Sequence, residues 1–178
     1  MTQPFLIIGC GGSGGKVVLG LRNRLEAELR RQNWDRGMPK AWQLKWIDVP
    51  EEAEDHPQFG DPLPLGDYLN LSRVNNYGAY DATVTSGNGA TRINRLTGWR
   101  PSPHLTLPVT KGAGQMRAVG RMVSLTRVDA IRELISDALR EIQNGDVELE
   151  QLMEHMGQGV VGKTPVVIIV SSMAGGTG

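Results

Sequence analysis

Residues 5–15 read Phe5-Leu6-Ile7-Ile8-Gly9-Cys10-Gly11-Gly12-Ser13-Gly14-Gly15, a short apolar run that opens into glycines. Consecutive apolar side chains without alternation suit a strand buried on both faces of a parallel sheet. Beyond the glycines, Val17, Val18, Leu21, Leu25 and Leu29 recur at helical spacing, with Arg22, Arg24, Glu26, Glu28, Arg30 and Arg31 between them. The spacing predicts an amphipathic helix over residues 14–32 whose charges form a solvated face. A strand whose glycines open a helix is suited to anions. Glycine lets the backbone approach a ligand, and the N–H groups and dipole of the helix N-terminus favour negative charge.

Working outward, residues 44–49 predict a second strand, cut off by Pro50. From 51 to 110 the periodicity dissolves into an irregular insertion or long connection, with turn signals at Asn75-Asn76, Gly87-Asn88-Gly89 and Pro101-Ser102-Pro103. A connection this long hides short elements, and residues 67–71 and 89–96 are the candidates. Apolar spacing then predicts a long helix over 115–143, broken near Thr126 and stopped by Asn144-Gly145, and a further helical piece over 147–156. Pro165 leads into Val166-Val167-Ile168-Ile169-Val170, a third strand, followed by Ser171-Ser172-Met173-Ala174-Gly175-Gly176-Thr177-Gly178. Strands alternating with helices predict a single three-layer α/β domain, 1–178, with a Rossmann-like parallel sheet.

Composition narrows the function classes. The 178 residues carry 19 basic and 19 acidic side chains, which argues against nucleic acid or an anionic membrane as the main partner. One cysteine forbids an internal disulfide, and three scattered histidines offer no zinc set. The apolar runs are too short to cross a bilayer and the N-terminus lacks a signal-peptide pattern, so the expectation is a cytoplasmic chain with no membrane span. Cys10 is expected to be a small loop residue, the histidines to lie at the surface, and Trp34, Trp42, Trp46 and Trp99 to be packing groups. Lys16 could help hold phosphate or face solvent.

The 23 glycines are clustered. Gly9-Cys10-Gly11-Gly12-Ser13-Gly14 satisfies G-x-G-x-x-G in its required strand–loop–helix context. That pattern alone leaves open an NAD(P) or FAD domain of an oxidoreductase, with Asp48 as the acid at the end of the second strand. Residues 157–164 match G-x-x-x-x-G-K-[ST] by letter, but they follow a helix and enter a strand, the reverse of a phosphate loop's polarity. Plurality is the informative point. A dinucleotide fold needs one glycine loop, whereas glycines also cluster at Gly112-Ala113-Gly114 and at Ala174-Gly175-Gly176-Thr177-Gly178. Loops at strand carboxyl ends gather on one sheet edge, so together these could surround two or three phosphates, with Ser13 and Thr177 adding hydroxyl donors.

Three motifs in order resemble the tubulin/FtsZ superfamily, and most closely the bacterial tubulin-like domain proteins. Residues 8–17 are similar to the family's first nucleotide loop. Gly112-Ala113-Gly114 followed by Val119-Gly120-Arg121 is similar to the third-loop pattern of FtsZ, and residues 174–178 resemble the start of the signature G-G-G-T-G-[ST]-G. Ala174 replaces the signature's first glycine, and Gln115-Met116-Arg117-Ala118 replaces the Asn-Pro-Glu stretch of FtsZ.

The resemblance implies the N-terminal half of a tubulin/FtsZ-type GTPase domain that binds GTP or GDP with Mg²⁺. Its implied nucleotide contacts are Gly9, Gly11, Gly12, Ser13, Gly14, Asp48, Gly112, Ala113, Gly114, Gln115, Ala174, Gly175, Gly176, Thr177 and Gly178. It further implies head-to-tail self-association, with hydrolysis at the subunit junction through parts outside these residues. No catalytic residue and no all-protein metal site is therefore expected in the chain itself. A non-catalytic assembly scaffold, whose glycines only shape the backbone, is the remaining alternative.

Overall fold

The computed structural model describes residues 3–86, 100–159 and 162–177. Strand β1 (Phe5–Cys10) runs into helix α1 (Gly11–Arg31), which leads to β2 (Trp42–Asp48) and a short β3 (Tyr68–Asn70). Helices α2 (Tyr77–Ser86), α3 (Arg117–Thr126), α4 (Val128–Asn144) and α5 (Asp146–His155) precede β4 (Val166–Ser171). The four strands are all parallel, in the order β3-β2-β1-β4, with Phe5 opposite Trp42 on one side and Val166 on the other. This is the expected α/β Rossmann-like arrangement.

Alternate side chains of β1 point into two separate cores. Leu6 and Ile8 join Ile47, Val49, Tyr77, Val119 and Val123 beneath α2, α3 and α4. Phe5 and Ile7 join Val18, Leu29, Trp34, Trp42, Leu149 and Leu152 beneath α1 and α5. A strand lined by apolar residues on both faces is what a three-layer sandwich demands of its central element. The phosphate-loop-like stretch 157–164 joins α5 to β4 in the expected wrong polarity; Lys163 pairs with Glu150 of α5 at 3.4 Å.

Three readings sharpen against the structure. Helix α1 begins at Gly11 rather than residue 14, so the glycine cluster is itself the helix's first turn. The helical stretch after residue 115 divides at Arg127, beside the Thr126 break. The connection 51–110 holds β3 at the 67–71 candidate, and also α2, while the 89–96 candidate and Trp99 lie outside the described residues. Helix α2 was hidden because Gly78, Thr83, Val84 and Thr85 are weak helix formers. Its buried Tyr77, Tyr80, Asp81 and Val84 still carry helical spacing, and the Asn76 side chain accepts the Gly78 N–H at 2.8 Å as a cap.

Candidate functional site

In an open parallel sheet, ligands bind beyond the strand carboxyl ends, where the chain order reverses. Here that point lies between β1 and β4, because the chain fills β1, β2 and β3 in one direction and then returns to pair β4 with β1. The loops that follow β1 and β4 leave the sheet side by side, since Cys10 is opposite Ser171.

Close backbone approach explains the glycines. A Cβ on Gly14 would sit 2.6 Å from the Val170 carbonyl oxygen and 2.8 Å from Gly9 Cα, so the turn of α1 rests directly on both strands. A Cβ on Gly120 would collide with the Gly176 carbonyl, and one on Gly176 would lie 2.7 Å from Ala113 Cβ. The loop after β4 is therefore clamped between the 112–115 turn and helix α3. The sequence spacing from Gly112-Ala113-Gly114 to Gly120 is the spacing that brings this turn and this helix face onto one loop.

These contacts enclose a cavity of ≈ 460 Å³ whose walls come from all three glycine clusters and from the ends of β2 and β4. Of the expected contacts, Gly11, Gly12, Ser13, Asp48, Gly112, Ala113, Gln115, Gly175, Gly176 and Thr177 line it. Gly9, Gly14, Gly114 and Ala174 do not; Gly9 and Gly14 serve the packing beneath, and Gly114 faces Leu107. Gly178 lies outside the described residues. Sequence reasoning passed over Lys111, Pro50, Glu54 and Ser172, which also line the cavity, and left Lys16 undecided although it too is in the wall. Lys111 and Ser172 adjoin glycine clusters and were within reach; Glu54 lies in the unread connection and carried no signal.

The site is polar and held in place. Cys10 caps α1 without a side-chain hydrogen bond, and no acid occupies the first turn, so that turn's N–H groups carry their partial positive charge unopposed by α1's own residues. Asp48, only 5% exposed, accepts hydrogen bonds at Oδ1 from the Thr177 hydroxyl and the Val49 N–H, both at 2.7 Å. Burial pushes its carboxyl above the usual range despite those donors, and burial with the nearby Asp48 pushes the Cys10 thiol up. Cys10 itself lines the cavity wall at the carboxyl end of β1. Gln115 holds φ 61°, a left-handed conformation unusual for a residue with a Cβ.

The histidine and tryptophan expectations divide. His104 and His155 are exposed, but His56 is buried, stacked on Trp46. The expectation of a surface position fails there because the aromatic stack of Trp46, His56 and Phe59 shelters the ring. Trp34, Trp42 and Trp46 are packing groups as expected.

No helix among the described residues is long and apolar enough to cross a membrane. Comparison with curated proteins and with solved structures returns no match to either. The sequence pattern of the tubulin-like family matches residues 6–178, from the first strand to the last loop. With the α/β sheet and the ordered glycine motifs in place, the chain belongs to the tubulin-like family.

Proposed function

We propose that this chain provides the phosphate-binding portion of a guanine-nucleotide site, as the N-terminal half of a tubulin-like GTP-binding domain. The observation that carries the reading is the convergence of three glycine loops on one cavity at the β1–β4 edge. First-turn amides of α1, two lysines and the Ser13 hydroxyl supply donors for a di- or triphosphate. Membership of the tubulin-like family adds the guanine base and head-to-tail assembly to the proposal. A heterologous contact of that kind generates open filaments. Hydrolysis is assigned to the assembled junction, not to a residue of this chain.

The residues also fit a nucleotide-borne Mg²⁺. Among the described residues no three His, Cys, Asp or Glu side chains gather as a metal site. Mg²⁺ is ordinarily held by one or two carboxylates together with substrate phosphates, which matches Asp48 and Glu54 in one cavity wall. The cation would neutralise phosphate charge there.

The strand order β3-β2-β1-β4 and an acid closing β2 are also those of a dinucleotide fold. Asp48, however, directs Oδ1 to Thr177 of the β4 loop, a partner that the dinucleotide reading leaves without purpose. Equilibrium titration of the full natural chain with GTP, ATP and NAD, each with Mg²⁺, separates the readings. GTP binding that is lost in Gly176→Val and Thr177→Val supports the proposal. NAD binding that survives both substitutions establishes the dinucleotide reading, and no binding by any of the three favours a protein-assembly scaffold.

A further inference from the structure

Helix α1 carries five basic residues, and three of them are paired along the helix: Arg22 and Arg30 with Glu26, and Arg31 with Glu28. Lys16 and Arg24 have no carboxylate partner among the described residues. Both line a groove of ≈ 680 Å³ between α1 and the connection that follows β2, together with Val17, Gly20, Leu21 and Phe59. No acid stands in that wall, so its charged side chains are both positive. Val17 is 48% exposed there, an apolar side chain that α1 presents to solvent rather than to either core.

Gly20 lies in the middle of this wall and in the interior of α1, where glycine weakens a helix. Packing does not require it. A Cβ there would lie 3.9 Å from Phe59 Cδ1 and 4.0 Å from the Phe59 carbonyl oxygen, ordinary contact distances, whereas Gly14 and Gly15 of the same helix leave no room for one. Gly20 instead leaves a notch beside Val17, Leu21 and Phe59, with Lys16 one turn before it and Arg24 one turn after. An apolar side chain can fill the notch, and acids on either side of it meet two cations roughly 12 Å apart along the helix axis. We propose that this groove docks an acidic segment of a partner protein, anchored by one apolar side chain over Gly20. The proposal stands independently of the nucleotide reading.

The probe is a random peptide library displayed on phage and selected on the full natural chain. The recovered peptides should carry an aromatic or large aliphatic residue flanked by Asp or Glu. Fluorescence anisotropy with a synthetic copy of the most enriched peptide should show affinity weakened on the order of tenfold or more in Gly20→Leu, which fills the groove, and in Arg24→Glu, which reverses its charge. In the free protein, Gly20→Ala should raise the melting temperature by about 3 °C, because alanine favours the helix and meets no clash. A selection that returns no acidic peptides, or one whose peptides bind the wild type and both variants equally, would overturn the proposal. A lowered melting temperature in Gly20→Ala would assign the glycine to packing and overturn it as well.

Discussion

Strands β1 and β4 are near twins in sequence and opposites in setting. Each is a short apolar run ending in a glycine loop, and the two pair in register along their whole length. Yet Leu6 is 0% exposed and Ile8 3%, whereas Val167 is 51% exposed and Ile169 68%. The difference arises from layers, not composition. β1 has β2 on one side, β4 on the other and helices over both faces, while β4 is the sheet edge and the described residues leave much of its apolar surface uncovered. A parallel strand this apolar on both faces is built for burial. That fits the proposal that the chain is one half of a larger domain, whose remainder would cover β4.

The comparison breaks or holds on paired substitutions. Leu6→Ala should cost about 3 kcal/mol of unfolding free energy. Ile169→Ala in this chain should change it by about 0.5 kcal/mol or less. Urea unfolding followed by the fluorescence of the buried tryptophans reads both. Comparable costs would mean that β4 is packed after all. Gly120→Val should follow at about 2 kcal/mol, because its side chain would drive into the Gly176 carbonyl.

Smaller effects probe the loop that β4 carries. Thr177→Val removes the hydroxyl donated to the buried Asp48 and should cost about 1.5 kcal/mol, read by the same unfolding curves. The pH dependence has a defined sign. Because the folded state raises the Asp48 carboxyl above its usual 3.8, the native protein holds that proton more tightly than the unfolded chain does. Its contribution to stability therefore falls as pH rises from about the unfolded value to the raised one, and Asp48→Asn should flatten that descent in unfolding measured across the acid range. Gln115→Gly should stabilise the free chain by about 1 kcal/mol, relieving the left-handed backbone at that position.

Much of this architecture was legible because periodicity and glycine placement act locally. Residues 5–8 and 166–170 read as strands from unbroken apolar runs, and the Thr126 break was visible as a fault in helical spacing. Ten of the fifteen expected contact residues line the cavity because short loops inherit their location from the strands they leave. What escaped depends on distant packing. Helix α2 is made by burial of Tyr77, Tyr80 and Val84 against α3 and the sheet, against its own propensity. His56 is buried by an aromatic stack with Trp46 that no local pattern announces.

Three separated glycine loops are proposed to form one nucleotide site. Amide hydrogen exchange of the full natural chain, with and without GTP and Mg²⁺, tests it most directly. Simultaneous protection of residues 10–15, 112–115 and 174–177 is expected. Protection confined to residues 10–15, with the other two loops exchanging as they do in the free protein, would contradict it.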